Sequence, residues 1–223
     1  MPKLEAVLFD LDGTLLDSVH DISQGINMML VDEGRQALAI EEISPMLGDG
    51  AMELCHRALL KTGGVKEDDL FPYVQKFIAH YRAVKPDPNQ VFPHAREVLE
   101  ELKKANIKMG VCTNKADSTM HSVLDALDLS SYFGFMAGGD TFEVHKPNPG
   151  HVTGVLDKLG ASVKGTVFVG DGPQDVAASS RAGVACLVMT HGYGVNFGDM
   201  NPDGQIDGFD ELMPAIKKLG FEV

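Results

Sequence analysis

The chain of 223 residues reads as an α/β protein: a doubly wound parallel sheet with a Rossmann-like core, interrupted once by a block made only of helices. Three observations carry this reading. A short apolar run, Ala6-Val7-Leu8-Phe9, stops on acidic residues, as a buried strand does when its carboxyl end opens onto a cleft. From Ser18 to about Lys85 the periodic stretches are helical and no strand pattern intervenes. Beyond the Pro-rich segment Lys85-Pro86-Asp87-Pro88-Asn89, strand and helix patterns alternate to the end of the chain.

Each element follows from its pattern. After the first strand, Gly13 frees the backbone to turn, and Asp17 with Ser18 is placed to cap a helix running to about Glu33, with Ile22, Ile26, Met29 and Leu30 on one face. Shorter helical pieces cover Glu41–Met46 and Ala51–Thr62, separated by the turn Gly48-Asp49-Gly50. A fourth covers Asp68–Val84, where Tyr73, Phe77 and Tyr81 recur at four-residue spacing and read as core. Past the linker the spacing predicts helix Pro93–Ala105, strand Lys108–Thr113, helix Ala116–Leu127 and strand Tyr132–Gly138. Helix Pro149–Leu159, strand Thr166–Val169, helix Gln174–Ala182 and strand Cys186–Met189 follow, then a short strand at Ile206 and helix Asp210–Leu219. The first strand belongs to the same sheet as the later ones. The helical block, residues 17–85, is therefore an insertion into a core made of residues 1–16 and 86–223.

Composition bounds what such a protein does. A hydrophobic content of 44% and a charged content of 23% are those of an ordinary globular protein. The formal net charge of −13, from 19 basic and 32 acidic residues, argues against a nucleic-acid or anionic-membrane partner, since no Lys/Arg cluster is present to neutralise a phosphate backbone. A small anionic substrate would need a local basic contact. Cys55, Cys112 and Cys186 have no metal-type spacing and read as buried reduced thiols. No membrane span or leader pattern is evident, and the expected compartment is the cytoplasm.

The chemistry gathers at four strand ends. The first carries Asp10 and Asp12, the strand ending at Cys112 carries Thr113, Asn114 and Lys115, a loop after Gly138-Gly139-Asp140 holds Lys146 before Pro147, and the strand ending at Val169 carries Gly170-Asp171-Gly172 with Asp175 beyond. Together they supply a carboxylate nucleophile, a hydroxyl, helix-start amides, a lysine, and acids for a hard cation. These are the parts of a phosphoryl-transfer site, where catalysis is positioning and charge neutralisation. Ligation by a few carboxylate oxygens and water suits magnesium. A second pattern, from Asp199 through Asn201, Asp203 and Asp207 to Asp210, matches most of a calcium loop. It lacks the final Glu and is broken by Pro202, so it reads as a polar loop.

The four segments, DLDGT at Asp10 to Thr14, Thr113-Asn114, Lys146-Pro147 and GDxxxD at Gly170 to Asp175, resemble in order and spacing the four motifs of the haloacid dehalogenase-like hydrolase superfamily. Finer features resemble its bacterial phosphoglycolate phosphatase branch: Gly48-Asp49-Gly50 with Arg57-Ala58-Leu59, Phe92-Pro93-His94, Thr113-Asn114-Lys115, Gly138-Gly139-Asp140 and His191-Gly192-Tyr193-Gly194. The resemblance implies that the helical insertion is a cap domain. It implies that Asp10 attacks phosphorus to form an aspartyl-phosphate, and that Asp12 protonates the leaving alcohol and then deprotonates water. Thr113, Asn114 and Lys146 would hold the phosphate. Magnesium would be held by the Asp10 side chain, the Asp12 main-chain carbonyl and Asp171, with Asp175 orienting them or adding a ligand. Gly172 and Pro173 depart from the Ser or Thr that many relatives carry after the first acid of the fourth motif.

The expected substrate is a small-molecule phosphomonoester, foremost 2-phosphoglycolate, hydrolysed by a monomer or homodimer. Arg57 and Gly50 in the insertion are the candidates for contacting it, Arg57 by reaching a substrate carboxylate, and His191 is a candidate lining residue. Alternatives are a phosphatase for another sugar or nucleotide phosphate, a phosphomutase, which Ala51 after Gly50 disfavours, and a phospho-accepting regulatory module, about half this length and without an insertion.

Overall fold

A computed structural model describes residues 2–66, 69–194, 197 and 200–223. Its centre is a six-stranded, wholly parallel sheet of β1 (Ala6–Phe9), β2 (Lys108–Cys112), β3 (Phe135–Ala137), β4 (Thr166–Gly170), β5 (Ala185–Met189) and β6 (Gly204–Ile206), in the order β3-β2-β1-β4-β5-β6. The order reverses at β1, which pairs with β2 on one side and β4 on the other, in register from Ala6 to Phe9. Ligands bind at such a switch point, outside the carboxyl ends of the strands.

Alternation along β1 divides the core. Val7 and Phe9 face a cluster that includes α5 (Ala95–Lys104), α6 (Asp117–Ala126) and α9 (Leu212–Lys218), with Leu99, Leu102, Met120, Leu124, Phe209 and Ile216 buried in it. Leu8 faces the opposite layer, where Phe168 packs with Val152, Val155 and Leu156 of α7 (Pro149–Leu159) and Val176 of α8 (Pro173–Ala182). Strands buried on both faces read as continuous apolar runs, which is how β1 and β4 read.

Between β1 and α5 the chain forms α1 (Val19–Asp32), α2 (Ile40–Ile43), α3 (Ala51–Lys61) and α4 (Leu70–Ala83), which enclose a hydrophobic cluster of their own. Phe77 and Tyr81 are buried in it as the four-residue spacing requires, while Tyr73 is partly buried at its edge. The chain leaves and re-enters the core side by side: Asp17 donates its N–H to Gln90 O at 2.7 Å, and Phe92 donates to Leu15 O at 3.1 Å.

Several boundaries differ from expectation. Asp68, the expected start of the fourth helix, lies outside the described residues. The strand expected over Tyr132–Gly138 is only Phe135–Ala137, because Ser130–Tyr132 coils into a 3₁₀ turn and the Gly138 N–H turns to the Thr141 hydroxyl at 2.8 Å. The last helix begins as a 3₁₀ turn at Phe209–Glu211. Ser18 sits before α1 but makes no side-chain cap to it, since its hydroxyl is committed elsewhere. Of the calcium-like loop, Asp199 is outside the described residues. Asp203 accepts the Cys186 N–H at 2.8 Å and Asp207 accepts the Thr190 hydroxyl, so both acids serve as local acceptors leading into and out of β6.

Phe209, fully buried with its ring centroid 6.3 Å from that of Phe9, tests the packing of the first layer. Phe209→Ala should lower unfolding free energy by about 3–5 kcal/mol in urea titration; a loss below about 1 kcal/mol would place the ring outside the packed core.

Candidate active site

Four loops converge at the carboxyl ends of β1, β2 and β4. Asp10 emerges from β1, its N–H donating to Val169 O at 2.9 Å, and its carboxylate is buried. Asp10 Oδ1 lies 2.8 Å from Lys146 Nζ, an ion pair closed to solvent. Lys146, only 2% exposed, donates to Asp175 Oδ1 and spans the two acids. The other Asp175 oxygen accepts the N–H groups of Asp171 and Gly172, both at 3.0 Å, at the start of α8. A carboxylate in the first turn of a helix is favoured by the unpaired N–H groups there. Asp175 therefore has both oxygens occupied.

Asp171 accepts the Tyr193 N–H at 2.6 Å and the Gly194 N–H at 3.3 Å on Oδ2, and the Thr14 hydroxyl at 3.3 Å on Oδ1. The backbone there is packed so closely that a Cβ on Gly13, at φ +85°, would meet Asp171 Oδ2 at 2.5 Å. Asp10, Asp171 and Asp175 each bring a carboxylate oxygen within 4.8 Å of the others.

Burial raises the Asp10 carboxyl to about 6; Lys146 pulls it back, and Asp175 and Asp12 add to the rise. Burial also raises Asp171 well above the carboxylate range, with Asp175 and Asp10 contributing. Lys146 is held above the ordinary lysine range because its attraction to Asp10 and Asp175 outweighs the cost of its burial. Three buried acids, with carboxylate oxygens within 4.8 Å of one another around a single ammonium, fit a hard divalent cation.

Asp12 stands apart from this cluster. It accepts the Ser18 hydroxyl at 2.6 Å, and Lys115 Nζ at 3.0 Å on each oxygen. Lys115 is buried, with Nζ 4.2 Å from the centroid of the Tyr81 ring. Thr113, 2% exposed, closes a turn by accepting the Lys115 N–H at 3.3 Å, and Asn114 Nδ2 donates to Gly48 O and Lys146 O, each at 3.0 Å. The Lys146-Pro147 peptide is cis.

The candidates in the insertion divide. Gly50, at φ +87°, passes so close to β2 that a Cβ would meet Asn114 O at 2.9 Å, and it lines a cavity beside Asp12. Arg57 lines neither cavity at the strand ends. Its guanidinium donates to Glu53 Oε1 at 2.8 Å, Met46 O at 3.1 Å and Asp49 Oδ2, which holds it against the insertion. His191 is also off the cavities: it stacks on Phe92 with centroids 3.9 Å apart. Sequence reasoning missed Ser18 and Tyr81, and left Lys115 and Tyr193 without roles. The signal for Lys115 was its position directly after Thr113-Asn114. Tyr193 stood in the Gly-rich turn after β5; its hydroxyl donates to Asp17 Oδ1 at 2.9 Å and accepts the Val19 N–H at 3.0 Å.

With this geometry in place, comparison with known proteins is decisive. A family model described as haloacid dehalogenase-like hydrolase matches residues 7–189. The chain belongs to this family. Among its haloacid dehalogenase-like relatives, a phosphoglycolate phosphatase of Agrobacterium fabrum is 34% identical over 217 residues, covering 96% of this chain and 93% of the relative. One from Pseudomonas syringae pv. tomato is 36% identical over 228 residues, covering 100% and 83%. The crystal structure of a protein described as a predicted phosphoglycolate phosphatase from Haemophilus somnus superposes with a TM-score of 0.87 at 28% identity, covering 96% of this chain and 99% of that one.

The acid cluster generates a linked test. An acid whose folded value exceeds its unfolded one stabilises the fold while protonated. For Asp10 that contribution is present below about pH 4 and lost as pH rises through about 6, roughly 3 kcal/mol in all. A divalent cation offsets the loss. Magnesium should therefore raise the Tm by more at about pH 7.5 than at about pH 5, and Asp171→Asn should remove most of that gain. Equal gains at both pH values, read by scanning calorimetry, would refute this account.

Proposed function

We propose that the chain is a magnesium-dependent phosphomonoester hydrolase that converts 2-phosphoglycolate to glycolate and phosphate. The single observation that carries this reading is the meeting, at one switch point, of buried Asp10, paired to Lys146 in a cluster with Asp171 and Asp175, and the separately held Asp12. The sequence kinship to phosphoglycolate phosphatases over nearly the whole chain supports the choice of substrate.

An Asp10 carboxylate oxygen attacks phosphorus, and the bond to the glycolate oxygen breaks. Asp12 gives that oxygen a proton and is left as a carboxylate, the form that Lys115 and Ser18 are placed to hold. Water then attacks the phosphorus of the aspartyl-phosphate, its proton passes to Asp12, and the bond to Asp10 breaks to release phosphate. Lys146, Thr113 and the Asn114 turn receive the phosphate oxygens. The magnesium ligands are the Asp10 and Asp171 side chains and the Asp12 main-chain carbonyl, and Asp175 orients Lys146 and the Asp171 backbone. When bound, the cation supplies the charge that offsets repulsion between carboxylate and phosphate.

We assign residues 17–85 as a cap over a core of 1–16 and 86–223, a cytoplasmic location, and a monomer or homodimer as the working unit. The fold comparison extends to a β-phosphoglucomutase from Clostridium difficile, TM-score 0.78, but at 18% identity that likeness concerns the fold alone.

Asp10→Asn should lower kcat at least 10³-fold, an effect of about 4 kcal/mol on the barrier, while leaving the unfolding midpoint at or above that of the parent. Retention of turnover would remove Asp10 as nucleophile. In a panel of phosphomonoesters with magnesium, 2-phosphoglycolate should have the highest kcat/KM. A hexose or nucleotide phosphate that exceeds it by about tenfold would overturn the substrate and leave the hydrolytic steps standing.

A further inference from the structure

Two cavities meet at Asp10 and Asp12. One, of about 30 Å³, lies on the Asp171 side, where the cation and phosphate belong. The other, of about 60 Å³, runs from Asp12 the opposite way, into the helical block. Asp12 protonates the leaving oxygen, so the part of the substrate beyond that oxygen has to occupy the second cavity. This step rests on the function proposed above.

The walls of that cavity are mostly apolar: Ile22 from α1, Leu54 from α3, Phe77 and Ile78 from α4. Among the described lining residues Lys115 is the one cation, and Arg57 is absent. Tyr81 lines the same cavity, with its buried hydroxyl beside the Lys115 ammonium.

We propose that Lys115 and the Tyr81 hydroxyl form the subsite for the carboxylate of the leaving hydroxy acid, and that they, rather than Arg57, set the preference for a short acidic phosphate. Lys115 serves two acids at once. It holds Asp12 on both oxygens, and it faces the cavity that receives the second anionic end of the substrate. Tyr81 adds a neutral donor beside it. The apolar remainder strengthens both contacts by excluding water.

The test compares 2-phosphoglycolate with ethyl phosphate, which has the same two-carbon length and no carboxylate. The full chain with magnesium should favour 2-phosphoglycolate at least 100-fold in kcat/KM. Lys115→Met lowers turnover of both esters through its contact with Asp12, so the ratio between esters is the informative quantity. It should fall about 30-fold or more. A lysine that only positions Asp12 would lower both rates in proportion and leave the ratio unchanged, which would overturn the subsite. Tyr81→Phe keeps the Lys115–Asp12 pair and the ring that packs in the core, removing only the hydroxyl, so it should fold normally and reduce the ratio about fivefold, mainly through KM for 2-phosphoglycolate. An unchanged ratio would exclude Tyr81. If the parent enzyme prefers a longer acidic ester such as 3-phosphoglycerate, the substrate proposed above fails, whereas a loss of that preference in both variants still supports the subsite. Equal or better hydrolysis of ethyl phosphate by the parent overturns the subsite directly.

Discussion

The ammonium of Lys146, buried between Asp10 and Asp175, is the interaction on which the rest of the site depends. An ionised lysine at 2% exposure is tolerable only where opposite charge surrounds it, and two buried carboxylates are tolerable only where a cation separates them. Each partner makes the other possible. Asp175 adds the link to the backbone, because its second oxygen holds the N–H groups of Asp171 and Gly172. One lysine thereby ties the loops after β1, β3 and β4 into a single unit. Four acids, Asp10, Asp12, Asp171 and Asp175, face two ammoniums, Lys146 and Lys115, and the imbalance of two negative charges is what one divalent cation neutralises.

The same unit is joined to the helical insertion at several points, beyond the Ser18–Asp12 and Lys115–Tyr81 contacts. Tyr193 donates its N–H to Asp171 and binds Asp17 and Val19, where α1 begins, through its hydroxyl, so one residue touches both the buried acid cluster and the chain crossing. Asn114 spans the Gly48 carbonyl of the insertion and the Lys146 carbonyl of the core. Asp49 is shared by Arg57 of the insertion and Gln174 of α8. Short polar contacts thus tie the position of the insertion to the loops at the strand ends.

Much of this was legible in the sequence, for identifiable reasons. A doubly buried strand shows as an unbroken apolar run, and an acid at its end is conspicuous because nothing in a core requires it; Asp10 and Asp171 could be found that way. The helical period from Ser18 to Lys85 was legible because an enclosed cluster imposes one apolar face on each helix. What could not be read was the direction of polar side chains. Ser18 occupies a capping position and yet turns its hydroxyl to Asp12. Tyr81 follows a stripe that spacing assigns to the core, and it does line the core, but the same ring also walls a cavity. Periodicity reports which face of a helix is buried, and both a core and a cleft count as buried.

Arg57 and Lys115 show where charge arguments over sequence lose resolution. A net charge of −13 makes some local cation necessary for an anionic substrate, and the insertion offers Arg57 at a plausible place. But guanidinium groups are drawn to carboxylates within a turn of helix, and Glu53, four residues earlier, together with Asp49, holds Arg57 away from both cavities. Lys115 escapes that fate because its near neighbours in sequence, Asn114 and Ala116, are uncharged, so its ammonium is left to find a partner across the fold. It finds Asp12, 103 residues away, and is buried there.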